Sequence, residues 1–136
     1  MPWPGEAALV WIELAETLAL HERLLALHGG PAGVRDRTLL ESALARPRQR
    51  AADDETAGIV ELAALYTAAI IRDHPFVDGN KRTGFLLGIL FLELNGHDFN
   101  ADEAEAAQVV LALAAGTIDE SAYAAFLAAN STPVKS

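Results

Sequence analysis

The stretch HPFVDGNKRTGFLLGILFLEL, residues 74–94, joins a polar loop to a long apolar run. The apolar residues fall on nearly every side of a helix, which is typical of a central, buried helix. We therefore predict a loop over 73–79 and a helix over 80–94. His74 should end the preceding helix, because a residue before proline is biased away from the α region. Charged residues between two apolar helices indicate a functional site rather than a solvated loop.

The flanking sequence predicts five further helices, and short extended pieces near Val10 or over 97–100 stay open as an alternative. Their expected bounds are about 7–28, 37–47, 55–72, 101–115 and from 118 onward. A glycine pair followed by Pro31 ends the first helix, and Asp36 caps the second. Residues 48–54 are predicted to form a loop, and residues 130–136 a frayed tail. We expect one all-α domain over 1–136.

The composition favours helix and excludes several classes of function. Alanine and leucine dominate over β-branched residues, and the absence of cysteine excludes a disulfide scaffold and thiolate chemistry. There is no basic segment followed by an apolar run at the N-terminus, and no apolar stretch approaches the ~20 residues that span a bilayer. We therefore expect a soluble, cytoplasmic protein. The net charge of −9 argues against direct nucleic-acid binding.

Cationic residues gather around the loop of this acidic chain: Arg72, Lys81 and Arg82 fall within eleven residues. The first N–H groups of a helix lack partners and lie at the positive end of its dipole, so they bind anions. Gly79 lets the backbone approach a ligand closely, and Asn80 can cap the helix. Lysine binds phosphate as a point charge, whereas arginine binds two oxygens at once. These five residues are predicted to bind phosphate.

One acid and one histidine complete the pattern. Asp78 is misplaced for a bare phosphate but suits a Mg²⁺ ion, since hard cations prefer carboxylate and phosphate oxygens. Histidine titrates near neutral pH, so His74 can accept a proton from a hydroxyl that attacks phosphorus. Phe76 and Val77 are predicted to anchor the loop by burying their side chains.

Each of these residues also has a purely structural interpretation. His74 alone is typical of a helix end, and Asp78 of a turn. Lys81 and Arg82 alone would form a solvated first turn, although the helix dipole disfavours cations there by about 0.3–1 kcal/mol. A bound phosphate would remove that conflict. The joint occurrence of base, acid, glycine and two cations in nine residues therefore favours a site.

The motif His-x-Phe-x-Asp-Gly-Asn-Lys-Arg at 74–82 resembles the signature loop of the Fic/Doc superfamily, in particular its Doc (death-on-curing) branch. The stretches 30–47 and 91–96 also resemble Doc members, and the whole resemblance covers roughly 18–96. It implies a compact six-helix fold with the active-site loop between two central helices. It also implies the toxin of a type II toxin–antitoxin pair, which a partner antitoxin neutralises.

The Doc branch implies ATP-dependent phosphorylation of a hydroxyl on a translation factor such as elongation factor Tu, and hence growth arrest. By position in the motif, His74 would be the general base, Asp78 the Mg²⁺ ligand and Phe76 the loop anchor. The phosphates would be bound by Arg72, Gly79, Asn80, Lys81 and Arg82, with Lys81 also taking part in catalysis.

Two departures from the AMP-transferring Fic signature bear on the activity. That signature has glycine where this chain has Lys81 and a second arginine where it has Phe85. Lys81 fills space in the anion loop and Phe85 cannot bind a phosphate, which favours γ-phosphate transfer. Leu86 stands where a Doc member has asparagine, so the nucleotide preference can differ.

Other functions stay open as alternatives. These are AMP transfer to a protein hydroxyl and a catalytically silent module that only binds its antitoxin. A metal hydrolase is disfavoured, because the remaining histidines, at 21, 28 and 97, lack metal-ligand spacing. No glutamate is followed by glycine or asparagine, as the inhibitory helix of self-restrained Fic proteins requires. Any restraint therefore comes from another chain.

Overall fold

A computed structural model describes residues 8–134, which form six α-helices and two short β-strands. The helices are α1 (Leu14–His28), α2 (Arg37–Asp53), α3 (Ile59–Asp73), α4 (Asn80–Leu94), α5 (Glu103–Ala115) and α6 (Glu120–Ala129), and the strands are β1 (His97–Phe99) and β2 (Ser131–Pro133). The predicted all-α class is confirmed, and the bounds predicted for α4 agree with those observed. Within this part of the chain, no helix is both long and apolar enough to cross a membrane.

Helix α1 begins at Leu14, so the predicted start near Ala7, which lies outside the described residues, is wrong. The chain before Leu14 is extended because it bonds to α4: the side chain of Asn95 accepts from the N–H of Val10 at 2.8 Å and donates to its carbonyl at 2.9 Å. Glu13 then starts the helix as the N-cap of a capping box. Within this segment Ile12 is buried and Leu9 and Trp11 are partly buried, whereas Val10 is exposed.

Helix α2 begins after its Asp36 cap as predicted, but Pro47 does not end it. The helix continues through that position, so the prediction of a loop over 48–54 is wrong. Proline removes one helical hydrogen bond. That loss is offset here, since Pro47 is buried and α2 packs along α3. The ion pair between Arg50 and Glu61 holds the last turns of α2 against α3.

The central helices α3 and α4 pack closely along their length. Every residue over 62–70 of α3 is buried. The close approach depends on two glycines of α4. A Cβ at Gly84 would lie 3.1 Å from the carbonyl oxygen of Thr67, and one at Gly88 would lie 2.9 Å from that of Ala63. The backbone of α4 therefore rests directly on α3, and this contact positions the loop that joins them.

Helix α4 is buried along one side rather than all round. The side that faces α3 is buried, whereas Phe85, Leu86, Ile89 and Leu90 are partly exposed. The prediction of an all-round buried helix is therefore too strong. The partly exposed side borders α1 and α5.

The two strands form a small antiparallel sheet in which His97 lies opposite Pro133 and Phe99 opposite Ser131. The N–H of Val134 extends the pairing by donating to Gly96 at 2.7 Å. The prediction of a frayed tail is therefore wrong for residues 131–134, while 135–136 lie outside the described residues. Local sequence patterns do not reveal this pairing, because the two segments are 30 or more residues apart.

Candidate active site

His74 ends α3 in the left-handed conformation, with φ 50° and ψ 53°. Among residues 8–134 it is the one non-glycine residue with positive φ. The predicted helix end is nearly right, but the extended conformation expected before proline is not adopted. Arg35 stabilises the turn: its Nε donates to the His74 carbonyl at 2.7 Å, and its Nη2 to the Asp73 carbonyl at 2.9 Å. A strained residue held by specific contacts is typical of functional sites.

The side chain of Asn80 is bound within the loop and is 4% exposed. Its Oδ1 accepts from the N–H of Phe76 at 3.0 Å, and its Nδ2 donates to the Phe76 carbonyl at 2.9 Å. These two bonds fix the orientation of the amide. The second Nδ2 hydrogen therefore faces Nδ1 of His74, 3.1 Å away. Nδ1 accepts, so a neutral His74 carries its proton on Nε2.

Phe76 is fully buried, whereas Val77, also predicted to be buried, is 46% exposed. The imidazole of His21 from α1 stacks on Phe76, with ring centroids 3.7 Å apart and planes 10° apart. Because a carbonyl can only accept, His21 Nε2 donates to the backbone oxygen of Asp78 at 2.8 Å. Sequence reasoning missed this contact. The available signal was a histidine on the leucine-rich buried side of α1.

The connection between α1 and α2 also supports the loop. Its Gly33 carbonyl accepts from the N–H of Val77 at 3.1 Å. In the other direction, the N–H groups of Arg35 and Asp36 donate to the Pro75 carbonyl at 2.7 and 3.0 Å. The loop is therefore held on one side by a short antiparallel pairing and on the other by α1. Sequence analysis predicted neither contact.

The exposed carboxylate of Asp78 lies beside the same connection. Its Oδ1 accepts from the N–H of Gly79 at 2.8 Å. Its Oδ2 lies only 2.5 Å from where a Cβ on Gly30 would be. Gly30 therefore makes room for the carboxylate. Gly79, with φ 81°, turns the chain so that α4 can begin at the next residue.

A cavity of about 390 Å³ lies at the N-terminus of α4. Its lining residues are Ile71, His74, Asp78, Gly79, Asn80, Lys81, Arg82 and Ala114. The fold thus brings six of the predicted site residues around one space. Arg72 is exposed and does not line it; the neighbouring Ile71 does. Phe76 supports the loop from the buried side.

The cavity is positively charged. Lys81 and Arg82 are exposed, and within residues 8–134 neither forms an ion pair. Both lie in the first turn of α4, where the helix dipole adds positive potential. The arrangement suits a ligand with several negative charges.

Asp78 is the one carboxylate that lines this cavity. Within the described residues no three His, Cys, Asp or Glu side chains come together as metal ligands. A single exposed carboxylate does fit Mg²⁺, which keeps several waters and takes the remaining oxygens from a phosphate substrate.

Comparisons with known proteins show the family to which the chain belongs. The family model described as "Fic/DOC family" matches residues 11–92. The chain is 35% identical over 109 residues to "Protein kinase doc" of Escherichia phage P1, covering 80% of this chain and 86% of that protein. It is 39% identical over 82 residues to "Toxin Doc" of Mycolicibacterium smegmatis, covering 57% of this chain and 63% of that protein. The chain therefore belongs to the Fic/Doc family, in its Doc branch of toxins and kinases.

Proposed function

We propose that this protein is a Doc-like toxin kinase that transfers the γ-phosphate of ATP to a hydroxyl of a protein target. One observation carries the proposal: His74, Asp78 and Lys81 line a single cavity of about 390 Å³ at the start of α4. A proton acceptor, a metal-capable acid and a cation are the groups that phosphoryl transfer uses. The Doc relatives, one named a kinase and one a toxin, support the same activity.

The first turn of α4 would bind the phosphates. The backbone N–H groups of Asn80, Lys81 and Arg82 have no partner within the helix, because a helix leaves its first donors free. Lys81 and Arg82 add two full charges at the same end. Phosphoryl transfer depends mainly on positioning and charge neutralisation, and these groups supply both. Arg72, also predicted to bind phosphate, does not line the cavity, and its role stays a prediction.

Asp78 would hold the Mg²⁺ ion of Mg·ATP. Its Oδ2 is free of hydrogen bonds within the described residues, whereas Oδ1 accepts from Gly79. When bound, the ion would neutralise charge on the phosphate oxygens. Gly30 keeps the space around Oδ2 open. The same glycine therefore belongs to the proposed metal site although it contributes no ligand.

His74 would take the proton of the target hydroxyl. The hydroxyl oxygen bonds to the γ-phosphorus while the bond from that phosphorus to the oxygen of ADP breaks, and the proton moves to the imidazole. Nε2 can accept that proton only if the ring proton sits on Nδ1. In the structure Nδ1 accepts from Asn80, at 3.1 Å. Substrate binding must therefore shift the contact between His74 and Asn80.

Position 85 supports phosphorylation over AMP transfer. AMP-transferring Fic proteins resemble this chain but have arginine there. Phe85 instead packs edge-on against Phe99, with ring centroids 6.0 Å apart, and supplies no charge. Lys81 occupies the position that is glycine in those proteins. Both features support a nucleotide whose γ-phosphate lies nearest His74.

The biological setting follows from the Doc branch. We propose that the target is a translation factor such as elongation factor Tu, modified in the cytoplasm. A cognate antitoxin would restrain the protein as the second component of a type II pair. The chain lacks the inhibitory sequence of self-restrained Fic proteins, which supports restraint by a partner.

The test is a label comparison. The purified protein is incubated with elongation factor Tu and either γ-labelled or α-labelled ATP. We expect label on the target from the γ-phosphate only, loss of labelling in His74→Ala and Asp78→Ala, and retention in the matched control Arg37→Ala, at an exposed residue of α2 that does not line the cavity. Label from the α-phosphate alone would establish AMP transfer instead. Growth arrest that survives both active-site substitutions would favour the silent antitoxin-binding module.

A further inference from the structure

The last residue of α3, Asp73, is held at two points by arginines from outside its helix. Its carboxylate lies 3.7 Å from Nη2 of Arg46 on α2, and its carbonyl accepts from Nη2 of Arg35 at 2.9 Å. The side chain of Asp73 is 9% exposed, which makes it the most buried partner in any ion pair of residues 8–134. A nearly buried carboxylate therefore lies directly before the proposed base, His74.

Local preferences do not favour an acid at this position. Asp73 lies in the last turn of α3, where the negative end of the helix dipole disfavours a carboxylate. A buried ion pair often contributes little to stability, because the attraction only offsets the cost of removing both charges from water. Some buried pairs instead fix one particular geometry. The contact between Asp73 and Arg46 therefore needs a reason other than stability.

The geometry that this pair can fix is the turn at His74. His74 has φ 50°, a conformation that a non-glycine residue keeps only where the surrounding contacts enforce it. Arg35 binds the carbonyls of Asp73 and His74. Arg46 holds the side chain of Asp73, which limits rotation of the backbone at the residue before the turn. Backbone and side chain are thus restrained by separate arginines.

We propose that Arg46 and Asp73 are positioning residues that keep the imidazole of His74 in the cavity at the start of α4. This inference rests on the proposed function and names what orients its base. Neither residue lines the cavity, so both act through the backbone at His74 and not on the substrate. The residues over 80–82 that would bind the phosphates belong to α4, whereas the pair joins α2 to α3. Loss of the pair should therefore affect the transfer step more than ATP binding.

A second ion pair between the same two helices supplies the control. Arg50, in the last turn of α2, pairs with Glu61 in the first turn of α3. Both partners are partly exposed, and Glu61 lies at the opposite end of α3 from His74. Glu61→Ala thus weakens the packing of α2 on α3 without changing the residue before the turn. Asp73→Ala removes an ion pair of the same kind beside the turn.

The first measurement is the kinetics of γ-label transfer to elongation factor Tu. We expect Asp73→Ala to lower kcat by about tenfold, because a small displacement of a reacting group causes a loss of that size. The KM for ATP should change by less than about twofold, and kcat of Glu61→Ala should stay within about twofold of the wild type. Arg46→Lys keeps the charge and should retain more of kcat than Arg46→Ala. Urea unfolding checks that every variant folds.

The second measurement does not depend on activity. Nuclear magnetic resonance of the imidazole nitrogens at about pH 8, where ordinary histidines are neutral, shows which nitrogen carries the proton. In the wild type His74 should carry it on Nε2, because Nδ1 accepts from Asn80. Asp73→Ala should give a mixture of both forms at His74, whereas Glu61→Ala should not. His21, whose Nε2 donates to a backbone carbonyl, is the internal reference, and His74→Ala assigns the signal.

Other outcomes overturn the inference in distinguishable ways. If Asp73→Ala changes neither kcat nor the His74 signal, or if Glu61→Ala changes both equally, the pair only supports the packing of α2 on α3. A lower kcat with an unchanged His74 signal would show that the pair acts elsewhere. If the wild-type protein transfers no label, the proposed kinase function fails, and the imidazole signal alone then decides whether the pair orients His74.

Discussion

The imidazole of His21 lies flat against the ring of Phe76, with 3.7 Å between centroids, and donates from Nε2 to the carbonyl of Asp78. His21 of α1 thus contacts both Phe76, the buried anchor of the loop, and the backbone of Asp78. This contact holds the backbone from which the Asp78 carboxylate extends. His21 is a positioning residue, since it does not line the cavity.

Replacing His21 separates its two contacts. His21→Phe keeps the ring stack but removes the hydrogen bond to Asp78, and we expect it to lower the free energy of unfolding by about 1 kcal/mol. It should also raise the Mg²⁺ concentration needed for half-maximal labelling, because Asp78 is less well fixed. His21→Gln keeps a donor and should restore part of the Mg²⁺ dependence. A purely structural role would lower stability in both variants with no change in Mg²⁺ dependence.

Arg35→Lys tests whether the left-handed turn at His74 matters for activity. The guanidinium donates to two carbonyls at once, whereas an ammonium binds as a single point. We expect a lower kcat with little change in KM for ATP, because His74 is displaced while the phosphate site is intact. Arg37→Lys, whose side chain pairs with Glu41 on the surface, is the matched control. Equal losses in both variants would contradict the prediction.

Two neighbouring glycines separate backbone strain from crowding of Asp78. Gly29 and Gly30 both have positive φ, so alanine at either position should cost about 1 kcal/mol. Only at Gly30 would the new Cβ meet the Asp78 carboxylate; at Gly29 it meets no atom within 4 Å. Gly30→Ala should therefore lose Mg²⁺-dependent labelling, while Gly29→Ala keeps it. Chemical denaturation measures the stability of both variants. Full activity in Gly30→Ala would show that the room beside Asp78 is not used.

Because of Tyr123, we expect the free energy of unfolding to fall at alkaline pH. Burial raises the pKa of its phenol from 10.0 to about 12, against a smaller opposing effect of the Thr67 hydroxyl. Since the folded pKa is above the unfolded one, this contribution is complete below about pH 10 and is lost between about pH 10 and 12. It amounts to about 2–3 kcal/mol. Urea unfolding at about pH 8 and about pH 11 measures this loss.

The matched variant for that measurement is Tyr123→Phe. The Tyr123 hydroxyl is buried without a hydrogen bond of good geometry among the described residues, so its removal should cost little near neutral pH. The variant should lose less stability at about pH 11 than the wild type. Burial also raises the pKa of Tyr66. This residue is present in both proteins, so it causes a smaller loss of stability that the two proteins share. Parallel losses in the two proteins would contradict the prediction.

Local signals explain what the sequence could predict. The sequence predicts helix α4 over its full length, because local signals mark both ends. Gly79 precedes its start, and Asn95-Gly96 marks its stop. The cavity residues over 78–82 are consecutive, so any helix beginning there brings them together. Arg72 precedes the turn at His74, and its direction depends on that turn. The assignment of Arg72 to the phosphate site stays a prediction.

Long-range contacts explain what the sequence could not predict. His21 and Arg35 contact the loop from 57 and 39 positions away, respectively, and nothing in their own surroundings indicates a partner. Helix α2 passes through Pro47 because packing on α3 outweighs one lost hydrogen bond. The pairing of β2 with β1 also depends on a contact between distant segments rather than on a local sequence signal. In each case tertiary contact overrides a local preference.

The support of the loop by α1 and by the α1–α2 connection makes the site a property of the whole fold. A fragment that begins at α3 would keep every residue of the motif over 74–82. It would lack His21, Gly30 and Arg35, which fix the loop from outside. In a shortened relative, an intact motif is therefore not enough to show that the protein is an active enzyme. Sequence surveys and truncation experiments on such proteins should first establish whether the N-terminal helix and its glycine-rich connection are present.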